Sequence, residues 1–334
     1  MNKINYVDIV FGLCWGDEGK GKVVSSLCYA YDIVCRFNGG NNAGHTIYFN
    51  NIKYKTHLIP SGVFYGIKSV IGPNCVVNVK SFFEELKYLK ENGFNTNNVF
   101  ISPNAHIITE EHIDIDKEKN KHLGTTSKGI GPCYTDKVSR KGIQAKDIPE
   151  LKDYLWDEKL YGNILCEGAQ GFRLDIDYGN YPYVTSSSTL PYMACSLGFS
   201  PIYIRQIIGC AKIYDTRSGV DPDFPQDLHN NKELKLIAEI GNEVGVTTGR
   251  GRIVNYLNLD KLIEAINISG CNNIVISKCD ILEKVDIYKL FYKGQLLKYY
   301  NMDSMKKDII NNLLISTDSL NLERIIFSYI PNGI

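Results

Sequence analysis

Short apolar runs separated by polar, glycine-rich turns set the rhythm of the chain. Residues 6–13, 33–37, 163–167, 206–214, 273–277 and 323–328 are runs of this kind, each of a length that suits a buried strand. Between them the spacing shifts to the helical period at 23–31, 81–92 and 302–314, and Gly93 stands as a stop after the second. Residues 110–121 are highly charged and read as a solvated helix face. Strand-like and helix-like segments alternate to the end, with no internal repeat, low-complexity tract or linker. The pattern predicts an α/β fold: a single large domain over 1–334 around a mainly parallel central sheet.

The turns carry the candidate chemistry. After the first run comes Gly-Asp-Glu-Gly-Lys-Gly-Lys (16–22), followed by a helical segment. Strand, glycine-rich turn and helix together present backbone N–H groups and a positive helix end to phosphate. Gly16, Gly21 and Lys22 fit the spacing of a P-loop-like phosphate-binding turn, but Val23 stands where Ser or Thr should hold Mg²⁺. Asp17, inside the loop, is the candidate metal ligand. The next strand delivers Gly-Gly-Asn-Asn-Ala-Gly-His-Thr (39–46) at its carboxyl end, which predicts a loop with His45 near Asp17.

Further along, 124–142 combines glycines, adjacent threonines and four cations. It reads equally as a phosphate-binding loop or a mobile surface loop. The strand at 163–167 leads into Gly168-Ala169-Gln170-Gly171, where an amide could read a base edge. Residues 216–225 read as a loop. Residues 246–252 (VTTGRGR) supply two hydroxyls and two arginines, whose forks suit a carboxylate. The strand at 273–277 ends in Ser277-Lys278-Cys279-Asp280. This is related to the Asn-Lys-x-Asp signal in which an acid accepts hydrogen bonds from guanine.

Composition narrows the classes. Lys+Arg and Asp+Glu are both 37, so the balance lacks the basic excess of a nucleic-acid binder. No apolar stretch approaches the roughly 18 residues of a membrane span. The N-terminus lacks a signal-peptide pattern. The ten cysteines form no C-x-x-C pair and sit mostly in apolar runs, as reduced, buried thiols would. The expectation is a soluble cytoplasmic protein.

Taken in order, WGDEGKGK, NNAGHT, HLIPSGV, GTTSKGIGP, EGAQGFRLDIDYGNYPYVTSS, TTGRGR and SKCD resemble adenylosuccinate synthetase over nearly the whole chain. The resemblance implies a ligase in which GTP phosphorylates O6 of IMP and the amino group of L-aspartate displaces that phosphate. It implies Mg²⁺ held by Asp17 and the Gly44 carbonyl. Asp17 would take the N1 proton, His45 would assist phosphoryl transfer as an acid, and Lys20 would act with them. Gly16, Asp17, Glu18, Gly19, Lys20, Gly21, Lys22, Gly44, His45 and Thr46 would hold the NTP, together with Arg252, Lys278 and Asp280. Asn42, Thr126, Gln170, Thr185, Ser218 and Arg250 would contact the purine nucleotide. Arg140 would reach the phosphate of a neighbouring subunit, so a homodimer is implied. Val246, Thr247, Thr248, Arg250 and Arg252 would bind aspartate.

Several segments depart from the family's usual pattern. They are the residues after Thr185, the stretch from Ser218 through DPDFP, Gly251 and Ile253 beside the arginines, and SYIPN at 328–332. They cluster on the nucleotide sugar and the donor base. The departures raise an alternative: a phage-type enzyme that joins aspartate to dGMP with an adenine nucleotide donor. Retained Asp17 favours IMP. Rivals of other classes are a non-catalytic nucleotide-binding protein and a plain GTPase switch, which would leave the paired arginines unused.

Overall fold

The computed structural model describes residues 3–119, 123–245, 249–317, 322–330 and Gly333. Its centre is an eight-stranded sheet. From one edge to the other the strands are Arg324–Phe327, Asn273–Ser277, Ile204–Lys212, Ile4–Gly12, Gly162–Glu167, Ile33–Arg36, Lys68–Ile71 and Val99–Ile101. Every neighbouring pair is parallel. Parallel strands are covered on both faces, which is why they read as unbroken apolar runs. Ile4–Gly12 lies where the strand order reverses, and in open α/β sheets ligands bind at the carboxyl ends beside such a reversal.

The predicted helices form close to their expected places. Val79–Glu91 is capped by the Asn78 side chain, buries Phe82, Leu86 and Leu89, and is followed by Gly93. Glu110–Lys119 and Met302–Ser316 follow the same reading, the latter with a capping box at Asn301 and Ser304. The first helix starts earlier than its apolar spacing predicted, at Lys20, because Gly19 in the left-handed region ends the preceding loop. Lys20, Gly21 and Lys22 therefore belong to its first turn.

Three expectations are corrected. The glycine-rich 124–142 is not all loop: Ile130–Ser139 is a helix, with Ile130, Cys133 and Tyr134 buried at helical spacing. Thr216 is not in a loop but in the strand Tyr214–Arg217. That strand heads a second, four-stranded sheet with Ile253–Asn258, Lys289–Tyr292 and Gln295–Lys298. His45 and Thr46 open the strand His45–Phe49, which pairs antiparallel with Ile52–Thr56. Among the described residues no helix is long and apolar enough to cross a membrane. All ten cysteines are free, and nine are buried.

Candidate active site

The loop leaving Ile4–Gly12 is built around a buried acid. Glu18 Oε1 accepts from the backbone N–H of Cys14 (3.1 Å) and Gly16 (2.7 Å), and Oε2 accepts from Lys20 Nζ (2.7 Å). Gly16, Asp17 and Gly19 all have positive φ, which coils the loop over the helix start. Glu18 thus spends its oxygens on its own loop. Lys22 is buried and bonds Ser328 Oγ (2.8 Å) and the Ile330 carbonyl (3.2 Å), tying the loop to the C-terminal segment. Burial lowers its pKa. Asp17 differs from its neighbours: its side chain is about a third exposed, and Oδ2 accepts from Arg252 Nε at 2.8 Å.

His45 is packed against the first turn of that helix. A Cβ built on Gly21 would lie 2.8 Å from the His45 Cβ. His45 Nδ1 is bonded to the fully buried Glu167, which also accepts from the N–H (2.8 Å) and Oγ (3.0 Å) of Ser61. Arg36 Nη1 lies 3.5 Å from the same carboxylate. Burial, with Arg36 beside it, pushes the imidazole down to about 4 against the pull of Glu167. Nδ1, facing the carboxylate, carries a proton that it donates to Glu167, and this bond fixes the orientation of the ring. Glu167 itself sits below its usual range. Burial alone would raise it, and His45, Arg36 and the Ser61 N–H more than offset that.

These two clusters open on one cleft of about 1780 Å³. Gly16 through Lys22, Asn42, Gly44, His45 and Thr46 line it, as do Thr126, Gln170, Thr185, Ser218, Arg250, Arg252, Lys278 and Asp280. Most of the residues singled out in the sequence are thus gathered in one place. Asn42 Oδ1 accepts from the Gly40 N–H (3.1 Å). Gln170 has positive φ, and its buried Oε1 has no hydrogen-bond partner among the described residues, as expected of an amide kept for a ligand. Asn38 holds the neighbouring backbone through Ala169, accepting from its N–H at 2.8 Å. Arg250 Nη1 reaches the Gly124 carbonyl (3.2 Å), joining two of the glycine-rich segments. Arg140, at the end of helix Ile130–Ser139, is exposed and does not line this cleft. Val246, Thr247 and Thr248 lie outside the described residues.

A third buried acid escaped the sequence reading. Glu243 Oε2 accepts from Arg252 Nη1 (2.6 Å) and Lys212 Nζ (2.8 Å), and Oε1 accepts from Tyr214 OH (2.7 Å). Lys278 Nζ stands 3.8 Å away and donates to the Gly241 carbonyl (2.7 Å). Burial alone would raise the Glu243 carboxyl, but Lys212, Arg252 and Lys278 hold it at about 2. Lys212 could have been noticed as a cation ending an apolar strand; Glu243 carries no such signal. Asp280 is paired with Lys284, one helical turn on, at 2.7 Å.

The donors suit Mg²⁺. Asp17 has Oδ2 on Arg252, leaving Oδ1, and the Gly44 backbone lines the same cleft. Among the described residues no group of three or more His, Cys, Asp or Glu could hold a metal by itself. The ion would complete its shell with substrate oxygens and water, as Mg²⁺ commonly does.

The family model described as adenylosuccinate synthetase matches residues 9–161 and 152–309. The chain is 40% identical to the adenylosuccinate synthetase of Clostridium acetobutylicum, covering 87% of this chain and 82% of that protein. It is 37% identical to that of Wolinella succinogenes, covering 89% and 85%. Among solved structures, the fully ligated adenylosuccinate synthetase of Plasmodium falciparum superposes with a TM-score of 0.82 at 29% identity, covering 98% of both chains. The succinoaminodeoxyadenylate synthetase of cyanophage S-2L, solved with dGMP and dATP, gives 0.74 at 18% identity and shares the fold, over 98% of this chain and 94% of that one. The chain belongs to the adenylosuccinate synthetase family, and it is a ligase that forms a C–N bond with aspartate.

Proposed function

We propose that this chain joins L-aspartate to C6 of IMP, with GTP as phosphoryl donor and a 6-phosphoryl intermediate. A 6-oxo group leaves poorly, and phosphorylation converts it into a phosphate leaving group. Asp17 acts as general base on N1–H, which makes O6 the nucleophile. Mg²⁺ at Asp17 and the Gly44 carbonyl would neutralise charge on the transferred phosphoryl group. His45, held by Glu167, positions a ring nitrogen toward that group, and Lys20 and the N–H groups of the first helical turn cradle the phosphates. Gln170, Asn42, Thr126, Thr185, Ser218 and Arg250 hold the purine nucleotide. Arg250 and Arg252, with 246–248, receive aspartate, and Lys278 and Asp280 read the donor base. The observation that carries this reading is that the phosphate loop, the two arginines and Lys278–Asp280 all line one cleft.

Arg140 is exposed and points away from a role in its own cleft, which supports a homodimer in which it serves the partner. A second reading, dGMP with an adenine nucleotide, draws on one contact. Lys284 occupies Asp280 Oδ2 at 2.7 Å, the carboxylate a guanine would need. The deciding experiment is product formation with Mg²⁺ and L-aspartate, crossing IMP, GMP and dGMP with GTP and ATP. Turnover confined to IMP with GTP supports the proposal. Turnover of dGMP with ATP replaces it with the second reading, and nucleotide hydrolysis independent of aspartate sinks both.

A further inference from the structure

We propose that Glu243 is a positioning residue for the use of aspartate, dividing the guanidinium fork of Arg252 between itself and Asp17. The inference rests on the function proposed above. The carboxylate of Glu243 is wholly buried, and each of its oxygens is taken by a donor from a different segment. Lys212 and Tyr214 lie at the carboxyl end of the central sheet and the start of the second one. Together they leave the carboxylate no freedom to turn. Residues 243 and 252 are also tied through the backbone: Arg252 N–H donates to the Glu243 carbonyl (2.9 Å), and Val244 bridges Gly251. Side chain and backbone thus fix Arg252 at the same point.

The consequence concerns Asp17. A carboxylate facing a lone guanidinium tends to take two parallel N–H bonds. Here Asp17 receives only Nε, while Nη1, on the far side of the fork, is held by Glu243 at 2.6 Å, which fixes the plane of the guanidinium. That division leaves Asp17 Oδ1 for its own chemistry. It also leaves the remaining N–H groups of Arg252, which lines the cleft, for a substrate carboxylate. Without the charge of Glu243, nothing would hold Nη1, so the guanidinium would be free to turn and its Nη2 edge would no longer be presented to a substrate carboxylate. Glu243 does not line the cleft, and Arg252 is the cleft residue through which it would act on aspartate.

The test is a double-mutant cycle on the full-length enzyme with Glu243→Gln, Arg252→Leu and their combination. KM for aspartate, KM for the purine nucleotide and kcat are measured alongside circular dichroism. Glu243→Gln should raise KM for aspartate roughly 10- to 100-fold, the size of one charge-assisted hydrogen bond. It should leave KM for the purine nucleotide within about threefold. In the Arg252→Leu background the same change should add less than about twofold, whereas a merely structural role would add its full effect. An unshifted aspartate KM, or equal losses in both backgrounds, overturns the proposal. Should Glu243→Gln fail to fold, Glu243→Gln/Lys212→Met restores the charge balance, and its aspartate KM decides. If both fail to fold, Glu243 is a folding residue and the proposal falls. A wild-type enzyme that does not depend on aspartate would instead refute the functional reading, before any variant is made.

Discussion

Gly21→Ala separates the fold of the phosphate loop from its chemistry. Gly21 lies in the first turn of helix Lys20–Leu27 with ordinary helical φ, so alanine suits the backbone and should favour the helix by about 1 kcal/mol. The new methyl, however, would sit 2.8 Å from the His45 Cβ, 3.3 Å from Cγ and 3.5 Å from Nδ1. Carbon atoms prefer about 3.5–4.0 Å, so the closest contact is short by about 0.7–1.2 Å. His45 cannot simply rotate away, since Glu167 holds Nδ1 and the backbone is paired with Thr56. Either the imidazole or the hairpin must move by most of that distance. Overpacking of this kind costs about 1–3 kcal/mol, partly offset by the helix gain, for a net loss of about 0–2 kcal/mol. The melting temperature should therefore drop by at most about 8 °C. A reacting group displaced by about 1 Å commonly loses about 10²-fold in rate. The assay is kcat at saturating substrates, with thermal unfolding of the same preparation. A variant with wild-type kcat, or one losing fold and turnover together, would refute the reasoning.

Three further outcomes follow from the same contacts. Asp17→Ala should abolish phosphoryl transfer while binding of the donor nucleotide stays within about threefold by calorimetry; parallel loss of binding would count against its role as base. Arg252→Leu should raise KM for aspartate by roughly 10- to 100-fold, and near-normal aspartate saturation would reject that role. Asp215 predicts a pH dependence. Burial raises its carboxyl to about 7, against the pull of the Asn258 N–H at 2.9 Å. Folding therefore takes up a proton there between about pH 4 and 7. The stability it contributes is complete below the unfolded value and is lost as pH rises through about 7. Asp215→Asn keeps an acceptor for Asn258 and has no proton to lose. Its melting temperature relative to wild type should climb from pH 4 to 7 and then level, and parallel profiles would rule the assignment out.

The central sheet was legible because its strands are buried on both faces and leave continuous apolar runs, as in Ile204–Lys212 and Asn273–Ser277. What escaped notice was shorter or disguised. Helix Ile130–Ser139 hides four buried positions among residues that favour turns. The two hairpins turn at Asn50-Asn51 and Lys293-Gly294, all with positive φ. Such turns close two-residue hairpins of the primed type, but neither is the Asn-Gly pair that announces them most strongly. In 39–56 the glycines also drew attention to phosphate binding and away from the alternation that follows. His45 was therefore read as a loop residue, although it opens a strand.

The candidate site was legible in one half only. Residues read as contacting substrate cluster in glycine-rich turns after strands, and that grouping is visible in one dimension. The residues that aim them are Glu18, Glu167 and Glu243; the first two stand inside motifs that give no sign of a buried, cation-holding role, and Glu243 stands in none. Their placement nonetheless follows from charge. A cleft built for phosphates and a dicarboxylate must bury cations before those anions arrive, and an unpaired buried ion costs several kcal/mol. Lys20 is accordingly matched by Glu18, Arg36 by Glu167, and Lys212 with Arg252 by Glu243 and Asp17. Asp17 is the one member of this set whose carboxylate is substantially exposed, at 30% against 0–1% for the three glutamates. The pairing thus distinguishes acids that only hold cations in place from the one left able to exchange its partner for a proton or a metal ion. That distinction depends on burial, which no spacing along the chain records.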